Sequence, residues 1–249
     1  MLKYPHKPDE QMVIENQQTS LGLLDTDPAI IEAARHRRNQ AFFSINAREG
    51  IAAGVGAYAL EEPLEKVRLY FKNACADFAD GLDLEMAIDP TDFGLYLSAA
   101  AVCGDSALAK RLTGMSRAGY SNENVGCEEV LYAVAELHAD LAAGRDGPFR
   151  KRLSAAGLLL ESAETSRPVK LSVQGLLSIA KAISGGDGKA LDLAVEARHK
   201  DYVQMVRKPS IREMPEALLD LWGVGLLHAG ARRGIRPTFA SVYLPLELI

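Results

Sequence analysis

Between Asn73 and Ala109 the chain carries Asp77, Asp80, Asp83, Glu85, Asp89, Asp92 and Asp105 and no lysine or arginine. Carboxylates gathered in this way can do two kinds of chemistry. They can hold a divalent cation through hard oxygen ligands, or they can present a negative face that a basic partner recognises. On a continuing helix Asp77, Asp80 and Asp83 advance by three and drift slowly around adjacent faces, where like charges repel by a few tenths of a kcal/mol per pair. Local stability alone therefore does not explain them. Asp89 and Asp92 have a structural reading as well: Asp89-Pro90 is an N-cap followed by proline, with a carboxylate three residues on.

The metal reading is the weaker of the two. Helical terpenoid synthases hold magnesium with adjacent aspartates in Asp-Asp-x-x-Asp, whereas the nearest spacings here are Asp77-Phe-Ala-Asp80 and Asp89-Pro-Thr-Asp92. A carbocation cavity also wants more aromatic lining than 6 % of the chain supplies. A divalent-metal-dependent helical enzyme using residues 77–92 is thus an alternative. The leading expectation makes Asp77, Asp80, Asp83, Glu85, Asp89 and Asp92 part of a partner-binding surface. If they fail as such, the basic cluster Arg35, His36, Arg37 and Arg38 is the next candidate; its plainer reading is a solvated helix face.

No other catalytic pattern assembles. There is no Gly-x-Ser-x-Gly elbow, Walker loop or His-Glu-x-x-His. Gly185-Gly-Asp-Gly-Lys189 reads as a turn, because no strand precedes it. His199 with Glu196 reads as a helix-surface pair rather than an acid/base couple, and Glu196 is placed four residues before Lys200 for an ion pair. His138 and His228 fall within apolar stripes, where packed histidines are the expectation. Cys75, Cys103 and Cys127 are widely spaced and odd in number, which suggests neither a disulfide framework nor a zinc site. The expectation is a non-enzyme without metal or cofactor.

The elements that position these residues read as helices throughout. Asp27-Pro28 opens a helix whose apolar side runs through Ile30, Ile31, Ala34, Ala41, Phe42, Ile45 and Ala52, fraying among Gly50, Gly54 and Gly56. The next starts near Glu61-Glu-Pro63 with the stripe Leu64, Val67, Ala74 and Phe78. A largely buried helix follows Asp89, and a short one runs from Ser106 to Met115. Residues 117–126 have loop composition and mark a possible sub-domain break within one helical domain spanning 1–249. Helices marked by Val130 to Leu141, by Leu153 to Leu160 and by Val173 to Ile183 come next. Then Asp187 is placed to cap the helix that carries Leu191, Val195, Arg198, Tyr202 and Val206. No strand-period run of convincing length occurs. The fold class is all-α, an antiparallel helical bundle or a short solenoid-like stack of hairpins.

The last sixty residues are the most distinctive. The helix with the stripe Leu218, Trp222, Gly225, Leu226 and Ala229 carries Gly223, Gly225 and Gly230, each costing about 1 kcal/mol against alanine in a helix interior unless a close neighbour compensates. Arg232-Arg-Gly234 closes that helix, and the apolar tail from Phe239 to Ile249 is expected to dock back onto it. Three features in this order resemble the immunity protein 49 family of bacterial polymorphic-toxin systems: Glu196-Ala-Arg-His199-Lys-Asp-Tyr202, the Trp222 to Gly230 helix with Arg232-Arg-Gly234, and the ending Tyr243-Leu-Pro-Leu-Glu-Leu-Ile249. The family is often more aromatic after the histidine, where this chain has Val203 after Tyr202. The resemblance implies a protein that binds and neutralises a cognate toxin domain, with no catalytic residues to transfer.

Whole-chain properties agree with a soluble binding protein. A net charge of -5 argues against nonspecific nucleic-acid binding, which needs basic surface. The longest uncharged run, Phe93 to Gly104, is too short to cross a bilayer, and the first residues lack an apolar core of signal-peptide length. No membrane partner is expected, and the cytoplasm is the expected compartment.

Overall fold

The computed structural model describes residues 1–120, 128–208 and 212–249; of residues 118 and 120 only the backbone is described. The proposed break at 117–126, like Cys127, lies largely or wholly outside them. The elements are α1 (Glu10–Leu24), α2 (Pro28–His36), α3 (Gln40–Ala59), α4 (Leu64–Asp83), α5 (Pro90–Cys103), α6 (Ser106–Gly114), α7 (Arg117–Tyr120), α8 (Glu129–Ala142), α9 (Asp146–Glu161), α10 (Arg167–Gly185), α11 (Gly188–Val206), α12 (Pro215–Leu218) and α13 (Leu221–Ala231), with a closing 3₁₀ turn at Leu246–Leu248. The fold is all-α, and no strand occurs among the described residues. None of the described helices is long and apolar enough to cross a membrane.

Five of the helix starts are capped by an aspartate that precedes them. Asp9, Asp27, Asp89, Asp105 and Asp187 each accept hydrogen bonds from the first backbone N–H groups of the helix they precede, which satisfies donors that the helix itself leaves free. Ends are marked by Gly104, Gly144, Gly186 and Gly234, all at positive φ where a side chain would be strained.

Two helices differ from the sequence expectation. The segment opened at Asp27 is not one helix but two. Arg38 turns the chain at φ 51°, and Asn39 caps α3 by accepting from the Phe42 N–H. Beyond that break the inward stripe is Phe43, Asn46, Ala47 and Ile51 rather than Phe42 and Ile45; Ile45 is 55 % exposed. Nor does α3 fray at its glycines. A Cβ on Gly50 would lie 2.7 Å from the Ala74 Cβ, and one on Gly54 2.6 Å from the Phe71 ring. Bare backbone is what lets α4 pack so closely against α3.

The second difference is at the C-terminal stripe. Leu219 is extended and Asp220 caps a new helix, so Leu218 belongs to α12 and Trp222 to α13. The compensating close neighbour expected for the glycines is present at each one. A Cβ on Gly223 would meet the Leu244 side chain at 2.6 Å, one on Gly225 the Ser98 hydroxyl at 2.1 Å, and one on Gly230 the Ile183 side chain at 2.9 Å. α13 therefore lies pressed between α5, α10 and the tail at the centre of the buried cluster. Tyr243, Leu244 and Leu248 are buried, as expected for a docked tail.

Candidate interaction surface and the buried C-terminal node

The acidic residues fold into two groups. Asp77, Asp80 and Asp83 lie on the last turns of α4, with Glu85 just beyond at φ 65°. Asp89 and Asp92 open α5 instead. There Asp89 accepts from the Thr91 and Asp92 N–H groups, and Asp92 turns toward α3. These two border a groove of about 590 Å³ together with Arg48, Ser20, Glu49 and Glu216.

The segment is base-free only along the chain. Arg35 on α2 reaches Asp80 at 2.5 Å, Arg111 on α6 reaches Asp83 at 2.7 Å, and Arg48 on α3 reaches Asp92 at 3.0 Å. Arg38 stands 3.6 Å from Glu85. The expectation of an unneutralised acidic face is therefore corrected: four of its six candidates sit beside an arginine brought from another part of the chain. The reserve candidate is part of the answer, because Arg35 and Arg38 of the basic cluster are two of those arginines. The result is a surface of alternating charge across α2, α4 and α6. The carboxylates are also kept apart, and no group of three or more histidine, cysteine, aspartate or glutamate side chains among the described residues is placed to hold a metal ion.

Asp77 has a different environment. It is half-buried, and burial followed by the neighbouring Asp80 charge pushes its carboxyl up to about 6, against a smaller opposing effect from Arg35. α2 is unusual too. Its apolar Ile30 is 54 % exposed and Ala34 is its only buried residue, and the Arg35–Asp80 pair links it to α4.

The residues that carry the family resemblance meet elsewhere. Arg198 of α11 donates from Nε to Asp220 Oδ2 at 2.6 Å and from Nη2 to Oδ1 at 3.1 Å, a two-point pair with both side chains at most 4 % exposed. Burial works against the Arg198 charge, yet the Asp220 carboxylate outweighs it and holds the guanidinium above its ordinary pKa. The remaining fork donates to the Ser172 carbonyl at 2.5 Å. Asp220 also caps α13 by accepting from the Gly223 N–H, and its own N–H donates to the Tyr243 carbonyl at 3.0 Å. The Tyr202 hydroxyl donates to the carbonyls of Glu216 and Leu219, and its ring lies 5.0 Å from that of Tyr243.

The histidines complete this node. His199 is 2.6 Å from the Ser241 hydroxyl through Nδ1, which ties it to the tail and not to Glu196; Glu196 pairs with Lys200 at 2.7 Å. His6 donates from Nε2 to the Arg212 carbonyl at 2.9 Å, so its Nδ1 is the acceptor for the Tyr243 hydroxyl at 2.7 Å. His6, Ser241 and Asp220 carry no sequence motif. Only the capping position of Asp220 before an apolar run offered a signal, and the continuous stripe from Leu218 hid it.

No protein-family model matches this chain, nor does any curated protein or solved structure.

Proposed function

We propose that this chain is an immunity protein that binds a cognate bacterial toxin and covers its active site or substrate cleft, acting in the cytoplasm of the toxin's producer. The observation that carries the reading is the convergence of the three segments resembling immunity protein 49. Tyr202, Asp220 at the head of the Trp222 helix and Tyr243 are joined by hydrogen bonds and ring contacts in one buried node. What the resemblance spans is thus a scaffold, the part that a family of binding proteins can share while its toxin-facing surfaces differ.

The proposed toxin-facing surface is the one formed by α2, α4 and α6, on which the carboxylates of Asp83 and Glu85 are 68 % and 87 % exposed. Asp77, Asp80, Asp89 and Asp92 stand behind or beside them. Alternating charges fix register against a partner more than they add bulk attraction. Exposed Ile30 on the adjoining α2 supplies apolar contact.

The test is co-expression with the toxin domain encoded by the neighbouring reading frame. Growth rescue by the wild type is expected. Rescue should weaken when Asp83→Asn and Glu85→Gln are combined with Ile30→Glu. Cells that die despite soluble, folded protein would defeat the reading for that pair.

A further inference from the structure

Two cysteines far apart along the chain meet where α4 packs against α5. Cys75 lies within α4 and is buried, while Cys103 is the last residue of α5 and only partly buried. Both thiols are free. Their side chains are hydrogen-bond neighbours, with Cys75 as the donor toward a Cys103 thiolate. In its protonated form the Cys103 thiol turns back along its own helix, 3.7 Å from the Ala100 carbonyl.

The contact sets the two thiols apart. Donation from Cys75 holds Cys103 below the ordinary thiol pKa; burial and the Asp105 carboxylate oppose this, and the Asp105 N–H supports it. The same contact, followed by burial, pushes Cys75 far above the ordinary value. The thiolate is the reactive form of cysteine. Redox-sensing cysteines are accessible, readily ionised and placed next to a second, resolving cysteine. Cys103 meets the first two conditions and Cys75 supplies the third.

We propose that Cys103 and Cys75 form a peroxide-responsive pair that closes into a disulfide and fastens α4 to the end of α5. The Cys103 thiolate attacks one oxygen of hydrogen peroxide. An S–O bond forms, the O–O bond breaks, and the departing hydroxide takes up the proton that Cys103 lost. Once that sulfur is uncharged, it no longer holds the proton on Cys75. The Cys75 sulfur attacks the Cys103 sulfenic acid; the S–S bond forms as the S–O bond breaks, and the leaving hydroxide takes the Cys75 proton. In sum the two thiols give up two electrons and the peroxide becomes two waters. In a reducing compartment, exchange with other thiols reopens the pair. The site does not depend on the toxin-binding reading.

The test uses the folded, full wild-type chain, treated with a few equivalents of hydrogen peroxide and then unfolded in urea with excess iodoacetamide. Because no lysine or arginine lies between Asn73 and Ala109, trypsin leaves both cysteines in the single peptide 73–110. After peroxide that peptide should be lighter by two hydrogens and carry no blocking group. Cleavage beside its acidic residues should leave the two halves joined until dithiothreitol separates them. Cys75→Ala should stop the reaction at a Cys103 sulfenic acid that dimedone labels. Cys103→Ser should leave the buried Cys75 unoxidised, with circular dichroism confirming that both variants are folded. The proposal is overturned if the wild-type peptide still takes up two blocking groups after peroxide, or if the bridge runs to Cys127 instead. It is equally overturned if Cys75 is oxidised as fast in Cys103→Ser as in the wild type. A bridge that forms only when peroxide is added in urea overturns it too, since the folded chain would then be keeping the two sulfurs apart.

Discussion

Arg198 with Asp220 and Arg35 with Asp80 are both arginine–aspartate pairs that tie distant helices together, at 2.6 Å and 2.5 Å. They differ in what surrounds them. The first pair is at most 4 % exposed and every fork of the guanidinium is used; the second is 46 % and 29 % exposed and open to salt and water. A buried pair cannot lose one member without stranding the other in a low dielectric, whereas an exposed charge that loses its partner is rehydrated. The C-terminal node therefore holds the fold, and the α2–α4 surface is free to change. That division suits a binding scaffold with a variable face.

The comparison can be broken first at the tail. Deleting Val242 to Ile249 removes Tyr243, Leu244 and Leu248, each contributing about 1.5–3 kcal/mol of burial, from a net stability on the order of 5–15 kcal/mol. Loss of cooperative thermal unfolding, or aggregation on expression, is expected. An unchanged melting temperature would make the tail dispensable.

Next in size is the buried pair. Asp220→Ala should cost about 3–5 kcal/mol in urea unfolding, because it leaves Arg198 charged and unpaired and uncaps α13. A smaller cost for Arg198→Met combined with Asp220→Leu than for Asp220→Ala alone would locate that penalty in the stranded charge. Tyr243→Phe should follow at about 1–3 kcal/mol, since it orphans the buried His6 Nδ1.

Asp77 sharpens the contrast through pH. Its folded carboxyl titrates near 6, above the ordinary 3.8. Such a group favours the fold fully below the unfolded value, and that contribution is lost as pH rises through about 6. Asp77→Asn should accordingly raise the unfolding free energy at pH 7.5 by about 1 kcal/mol after allowance for partial exposure, and leave it unchanged at pH 3.5, as read by urea unfolding at the two pH values. The smallest effect belongs to the exposed pair. Asp80→Asn should cost less than about 1 kcal/mol, and the cost should shrink in 1 M salt. A loss as large as that of Asp220→Ala would erase the distinction between the two regions.

These contrasts trace how much of the molecule could be read along the chain. Helix starts at Asp27, Asp89 and Asp187 were legible because capping is a contact over two or three residues. The all-α class and the docked tail were legible for the same kind of reason: apolar periodicity and apolar excess are properties of short windows. The run of acids from Asp77 to Asp92 was equally plain, and the missing lysines and arginines made it look unneutralised. Its neutralising arginines come from 45 residues away for Asp80, 44 for Asp92 and 28 for Asp83, distances over which a sequence states no pairing.

The sequence by itself thus determined the helical class, the capped starts at Asp27, Asp89 and Asp187, and which glycines needed a close neighbour in α13. Tertiary structure alone decided which neighbour that was, that the helix opened at Pro28 breaks at Arg38, and that Leu218 and Trp222 belong to different helices. It alone joined His6 to Tyr243 and buried His138 with its Nδ1 unpartnered. The physical reason is one of range. Capping and periodicity act within a turn or two of the chain, while charge pairing, close helix approach and cavities are set by residues that only folding brings together.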